Sequence, residues 1–280
     1  MTHPIAGRDE AQSILRSLAE VPDDAFDLGE GALALAALDR PLVPLDRYRD
    51  HLAALAAAVD ARAGDDVGLS GRARALAEVI AVDERYQGDA LTYDDLQNAN
   101  MIRVMDRRKG LPVALGILYL DVARRLGWDA CGLSFPGHFL IAVGAGGGRA
   151  ILDPFHRGRL CDAADLRGLL KSVVGAGEEL DPSHYAPVPS RSVLLRLHNN
   201  VKMRRLRARD PAGAVAAIEA MLLFAPGEVA LWHEAGLIHG HLGNLRAAAA
   251  AIGQALERTP DARLRHSLAT LLQDLRSRLN

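Results

Sequence analysis

The stretch that follows Gly110 constrains the fold of this 280-residue chain more than any other part of it. It predicts a helix that is apolar on nearly every face, with Leu111, Val113, Ala114, Leu115, Ile117, Leu118, Leu120, Val122 and Ala123. Such a helix belongs in the middle of a domain, because a surface helix keeps one polar face. Arg124 and Arg125 suit the negative end of the helix dipole, and Gly127 suits a helix cap. We therefore predict a buried central helix.

Short strands are predicted to follow this helix. Residues 130–135 form the first, Pro136 and Gly137 turn the chain, and residues 138–143 read as a buried second strand. Residues 144–148 lack the GK[ST] of a phosphate-binding loop and precede a strand, so they are predicted to form a hairpin turn. Residues 150–152 then lead into Asp153.

The sequences GLPVALGILYLDVARRLG, FPGHFLIAV and ILDPFHRGRL resemble the transglutaminase-like superfamily. More narrowly, they resemble a bacterial family of the invasion-regulator SirB type, which joins a transglutaminase-like domain to tetratricopeptide-like helices. Helix, strand, turn and strand is also the core order of papain-like thiol hydrolases. The resemblance implies an α+β fold: a helical N-terminal layer, a papain-like core with a small antiparallel sheet, and C-terminal α-helical repeats.

The resemblance also implies a site. In the superfamily a Cys at the N-terminus of the buried helix works with a His and an Asp on two later strands, and these fall on His138 and Asp153. The nucleophile position falls on Pro112, and none of residues 113–116 offers a thiol or hydroxyl. A helix N-terminus lowers the pKa of a thiol, whereas proline fits there without losing a hydrogen bond. We therefore interpret the domain as one that lacks its nucleophile.

Two alternatives remain open at this stage. Cys131 lies seven residues before His138 and is an alternative nucleophile, although it lacks the helix dipole and suits a buried, inert position equally. Arg107, Arg108 and Lys109 precede the helix and would either contact an anionic group or form a solvated turn. The retained His138 and Asp153 are either a vestige, a binding feature or half of a working site.

Composition excludes several classes of function. A net charge of −2 lacks the excess of positive charge that is typical of proteins that bind nucleic acid or an acidic membrane surface. Two cysteines make no disulfide framework, and the N-terminus lacks a signal-peptide pattern, so we expect a cytoplasmic protein. The segment HEAGLIHGH from His233 does not have the HExxH spacing of zinc proteases, so we expect no metal site. No motif for an organic cofactor is indicated either.

The domain organisation follows from pattern changes along the chain. Residues 1–100 are predicted to be a helical region packed on the core, residues 101–180 the transglutaminase-like core, and residues 191–280 helical repeats. Pro226 and Pro260 lie 34 residues apart, which is the tetratricopeptide period. Two such repeats are too few to stand alone, so we expect them to dock on the preceding domain.

The sequence therefore favours a non-catalytic interaction or regulatory module that binds a protein or peptide, with neither a nucleic acid nor a membrane as partner. The alternative is a cysteine-dependent hydrolase or acyltransferase that uses Cys131 with His138 and Asp153. In that case the reaction would pass through a thioester.

Overall fold

The computed structural model describes residues 4–64, 68–175 and 177–279, with side chains from residue 7 onward. The chain divides into two compact units. The first comprises residues up to 14 together with 21–197, and the second comprises residues 15–20 together with residues from 198 to the end.

The described ranges contain twelve α-helices: α1 (Pro4–Ala19), α2 (Leu28–Asp39), α3 (Asp46–Ala63), α4 (Leu69–Ala77), α5 (Met101–Arg107), α6 (Pro112–Arg125), α7 (Ala163–Val174), α8 (Ser190–Arg207), α9 (Pro211–Phe224), α10 (Val229–His241), α11 (Leu245–Arg258) and α12 (Ala262–Ser277). Their strands are β1 (Gln87–Gly88), β2 (Lys109–Gly110), β3 (Ala130–Leu133), β4 (Ile141–Ala145), β5 (Gly148–Asp153), β6 (Arg159–Cys161) and β7 (Pro187–Val188). The predicted α+β class is confirmed.

A five-stranded antiparallel sheet forms the centre of the first unit, in the order β6-β5-β4-β3-β7. Helix α6 covers one face, since a Cβ added at Gly116 would lie 3.5 Å from Ile141. Helix α7 covers the other face, where Leu166 and Leu170 pack with Leu133. The predicted core ends at residue 180. Strand β7 lies beyond that residue, yet it belongs to the same sheet because its backbone pairs with β3.

The central helix α6 is buried as the apolar pattern predicts. Every side chain from Val113 to Ala123 is buried, including the carboxylate of Asp121. Gly127 ends the helix with φ +69°. Its N–H donates to the Arg124 carbonyl at 2.9 Å, and the next N–H, from Trp128, donates to the Ala123 carbonyl at 3.0 Å. This pair of bonds is a Schellman motif, which requires the left-handed conformation that glycine adopts without strain.

Several predicted boundaries differ from the structure. The strand expected at 138–143 begins at Ile141, so His138 lies in the preceding turn. The strand expected at 130–135 ends at Leu133. The hairpin at 144–148 is confirmed, with Gly146 and Gly147 both at positive φ between β4 and β5. Helix α4 ends at Ala77 and continues as a π-helix to Asp83.

The second unit contains helices α9 to α12. Its core includes Ala248 and Ile252 of α11, packed with Leu268 and Leu272 of α12. Helix α8 begins in the first unit and ends in the second, because its early residues Val193, Leu194 and Leu197 belong to the first unit and are buried. The boundary between the two compact units therefore falls inside this helix.

Candidate functional site

Pro112 is the first residue of α6, as the sequence predicts. The preceding Leu111 has extended backbone angles and makes no side-chain cap, while its carbonyl accepts the Leu115 N–H at 3.0 Å. Proline fits this position because the first N–H groups of a helix have no intrahelical acceptor. The helix start is therefore well formed, and its first side chain carries no reactive group.

A short parallel strand pair ties this helix start to the turn after β5. Gly110 of β2 pairs with Gly88 of β1, and the Gly88 N–H donates to the Phe155 carbonyl at 3.0 Å. A Cβ at Gly88 would lie 2.4 Å from the Phe155 ring, so the contact requires glycine. Pro112, two residues after Gly110, is thus held near the turn that follows Asp153.

Asp153 is the last residue of β5 and is buried. Its Oδ1 accepts the N–H groups of Phe155 at 3.0 Å and His156 at 3.2 Å, and its Oδ2 lies 2.7 Å from His156 Nδ1. Among the described residues it has no hydrogen bond to His138. The carboxylate that the resemblance assigns to His138 is therefore bonded to His156, a residue that the sequence analysis did not select.

His138 lies close enough to Asp153 to interact electrostatically. Burial lowers the pKa of His138, against the attraction of Asp153, which raises it. The imidazole ring stands edge-on to Phe135, with ring centroids 6.3 Å apart. The preceding Gly137 has φ +68°, and a Cβ there would lie 2.6 Å from Val173, so the turn that presents His138 depends on glycine.

Arg196 of α8 is the second residue that sequence reasoning missed. Its Nη2 donates to the His138 carbonyl at 2.7 Å, and its guanidinium lies 5.3 Å from the Phe139 ring centre. Burial lowers the pKa of Arg196. Tyr93 packs edge-on against Phe155 at 6.0 Å. The groups in contact with Asp153 and His138 are therefore a second histidine, His156, an arginine and aromatic rings.

Cys131 lies on the face of the sheet that is turned away from α6. It pairs with Ala142, which in turn pairs with Ile151, and Ile151 pairs with Cys161. Paired residues in adjacent antiparallel strands point to the same face. The Cys131 side chain packs against the cluster that contains Leu166 of α7, whereas α6 covers the other face.

The chemistry of both thiols agrees with this placement. Burial, together with the nearby charge of Asp129, raises the pKa of Cys131. Burial likewise raises the pKa of Cys161 to about 11. A nucleophilic cysteine needs a stabilised thiolate, and both environments favour the neutral thiol instead.

The basic residues before α6 are mostly engaged within the fold. Arg107 bonds to the buried Asp89 at 2.8 Å and to Asn98 Oδ1 at 3.0 Å. Arg108, at φ +58°, bonds to Glu84 at 2.9 Å and to the ring hydroxyl of Tyr86. Lys109 has no side-chain partner among the residues described. Of the three candidates for an anion contact, Lys109 alone is uncommitted.

Comparisons with known proteins identify the family. The family profile described as "Transglutaminase-like superfamily" matches residues 46–199, which is more than half of the chain. The chain belongs to the transglutaminase-like superfamily. A second profile, "Tetratricopeptide repeat", matches residues 201–273, so the predicted repeats are confirmed.

This superfamily member is similar to proteins from several organisms. It is 30% identical to a UPF0162 protein of Vibrio cholerae over 81% of the chain and 84% of that protein. It is 29% identical to a UPF0162 protein of Xylella fastidiosa over 81% of the chain and 82% of that protein. It is also 25% identical to F-box only protein 21 of Mus musculus, over 67% of the chain and 34% of that protein. No helix within the described ranges is long and apolar enough to span a membrane.

Proposed function

We propose that this protein is a non-catalytic interaction module, in which a transglutaminase-like domain without its nucleophile and tetratricopeptide-like repeats hold a protein or peptide partner. The observation that carries the proposal is Pro112 as the first residue of α6. The superfamily position for a reactive thiol is occupied there by a side chain that can neither attack a carbonyl nor transfer a proton.

Two further observations support an inactive site. The Asp153 carboxylate is bonded to His156 and to two backbone N–H groups, so it does not orient His138 by a hydrogen bond. Cys131 lies on the sheet face away from α6, and its pKa is raised. The cytoplasmic location and the absence of a nucleic-acid partner stay predictions.

Restoring the thiol tests the assignment of Pro112. In a chain with Cys131→Ser and Cys161→Ser, we expect Pro112→Cys to fold normally, because the first helical position needs no N–H. The new thiol should show an apparent alkylation pKa about one unit or more below the ~8.5 of free cysteine, since the helix N-terminus and His138 both favour the thiolate. The measurement is the iodoacetamide rate from pH 5 to 9.

A matched control separates the helix from the histidine. Ala163→Cys in the same background places an exposed thiol at the first position of α7, where there is no neighbouring histidine of the site. Adding His138→Ala to Pro112→Cys should raise the apparent pKa of the thiol, which should still stay below that of the Ala163→Cys thiol, because the latter lies beside the carboxylates of Asp162 and Asp165. A Pro112→Cys thiol that reacts no faster than the α7 control would show that Pro112 is not the nucleophile position.

A further inference from the structure

Exposed aliphatic side chains gather on two helices of the second unit. Met203 and Leu206 lie three residues apart on α8, with 40% and 39% of their surface exposed, and Leu237 of α10 is 50% exposed. Residues three or four apart share a helix face, so Met203 and Leu206 form one short apolar stripe on α8, and Leu237 is a single exposed apolar residue on α10. Large aliphatic side chains exposed together are a feature of binding surfaces.

Leu206 and Leu237 both line a groove of about 470 Å³. It is lined by Leu206, Arg209, Pro211, Leu237, Ile238 and His241. The lining contains four apolar side chains and two basic ones, and no carboxylate. The nearest acidic side chain along the chain, Asp210, is already bonded to Arg205 at 3.0 Å and to the Gly213 N–H at 2.8 Å. The groove is therefore mainly apolar, with one guanidinium and one imidazole in its lining.

Arg209 occupies a backbone position at which the fold favours glycine. Its φ is +56°, and it ends α8 in a Schellman motif in which its N–H donates to Leu206 and the Asp210 N–H donates to Arg205. Gly243 ends α10 in the same way, with φ +75°. The two residues lie 34 positions apart, which is the repeat period, so they are equivalent.

The arginine therefore brings a conformational cost that the equivalent glycine avoids. Its guanidinium has no side-chain partner among the described residues, so no contact within the fold offsets that cost. Arg85 has the same backbone conformation, but Arg209 also lines the groove, where its guanidinium can contact a ligand with a negative charge.

We propose that this groove binds a partner segment that carries an aliphatic side chain next to a carboxylate. The aliphatic group enters between Leu206 and Leu237, and the carboxylate contacts Arg209 and His241. Burial of apolar area provides the affinity, and the charge pair fixes the position of the peptide along the groove, as in other peptide-binding grooves. This inference names the partner chemistry of the proposed module, and it does not depend on the assignment of Pro112.

The test uses the full chain and fluorescein-labelled ten-residue peptides, each with two central leucines flanked by either Asp and Glu or Lys and Arg. Fluorescence anisotropy gives Kd for each peptide. We expect the acidic peptides to bind at least about tenfold more tightly than the basic ones, and Arg209→Gly to weaken the acidic peptides by about tenfold, as loss of one charge-assisted contact would. Leu237→Ala should weaken them as well.

The variants have a close internal control. Arg85 is also an exposed arginine at positive φ, 61°, and lies in the first unit. Arg85→Gly should leave Kd unchanged, and both glycine variants should melt at or above the wild-type Tm.

The proposal is overturned if acidic and basic peptides bind alike, or if Arg209→Gly and Arg85→Gly have equal Kd values. It is also overturned if sedimentation shows a wild-type dimer that Leu237→Ala dissociates, since the groove would then hold a second copy. Normal peptide binding together with a reactive wild-type thiol would reject only the non-catalytic assignment.

Discussion

Between pH 6.5 and 4 we expect His198 to remove about 3 kcal/mol from the free energy of unfolding. This residue is buried, and its burial lowers the pKa of the folded state to about 4. In the unfolded chain the pKa returns to about 6.5. Within this window the unfolded state binds the additional proton, so stability is complete above pH 6.5 and is lost as the pH falls. The gap of about 2.5 pH units is worth about 1.4 kcal/mol per unit.

The measurement is urea unfolding from pH 4 to 7, for the wild type and for His198→Leu. Leucine has no proton to gain, so its free energy of unfolding should depend less steeply on pH by the amount assigned to His198. Other buried groups, including His51, whose pKa burial also lowers, are present in both chains and cancel in the comparison. Equal pH slopes for the two proteins would contradict the account of His198.

The second large effect is expected at Gly116. A Cβ there would lie 2.3 Å from the Phe139 ring, and a Cβ at Gly132 of β3 would lie 2.9 Å from the same ring. The ring is thus held between two glycines and has no room to move away. Gly116→Ala should destabilise the protein by about 1–3 kcal/mol through overpacking, more than the ~0.5–1 kcal/mol that alanine contributes to a helix.

Gly168→Ala in α7 is the matched substitution. Gly168 is exposed, and nothing lies within 4 Å of the Cβ position, so alanine should stabilise the protein by up to about 1 kcal/mol. Denaturant unfolding of the two variants should therefore give opposite signs. A Gly116→Ala protein as stable as the wild type would show that Phe139 is not confined as described.

The sequence predicts features that local chemistry determines. Pro112 and the apolar run after it specify a buried helix and its first residue, and Gly127 specifies its end. Two consecutive glycines specify the hairpin between β4 and β5, and the 34-residue period specifies the repeats. Each of these rests on residues close together in the chain, so the pattern carries the information.

The site contacts that the sequence analysis missed are of two kinds. Arg196 reaches His138 across 58 residues of chain, and no local pattern in α8 indicates that contact. His156 is different, because an Asp that accepts backbone N–H groups two and three residues later is a known turn signal, and it could have been recognised in Asp-Pro-Phe-His. The resemblance assigned Asp153 to His138, whereas the local turn gives its hydrogen bonds to His156.

The face of the sheet on which Cys131 lies also depends on register. The sequence places this residue seven positions before His138, which leaves open whether the two side chains share a face. The pairing of Cys131 with Ala142 places the thiol with the α7 cluster, and this pairing is a tertiary property. A shift of one residue would have placed it on the α6 face.

The rate of iodoacetamide alkylation of Cys131 from pH 5 to 9, in a folded chain with Cys161→Ser, shows whether the domain contains a working nucleophile. We expect slow alkylation with an apparent pKa above the ~8.5 of a free thiol, because burial and Asp129 both disfavour the thiolate. The same thiol should react at the ordinary rate once the protein is unfolded in urea. Fast alkylation of the folded chain, with an apparent pKa well below that of free cysteine, would contradict the account and identify Cys131 as a working nucleophile.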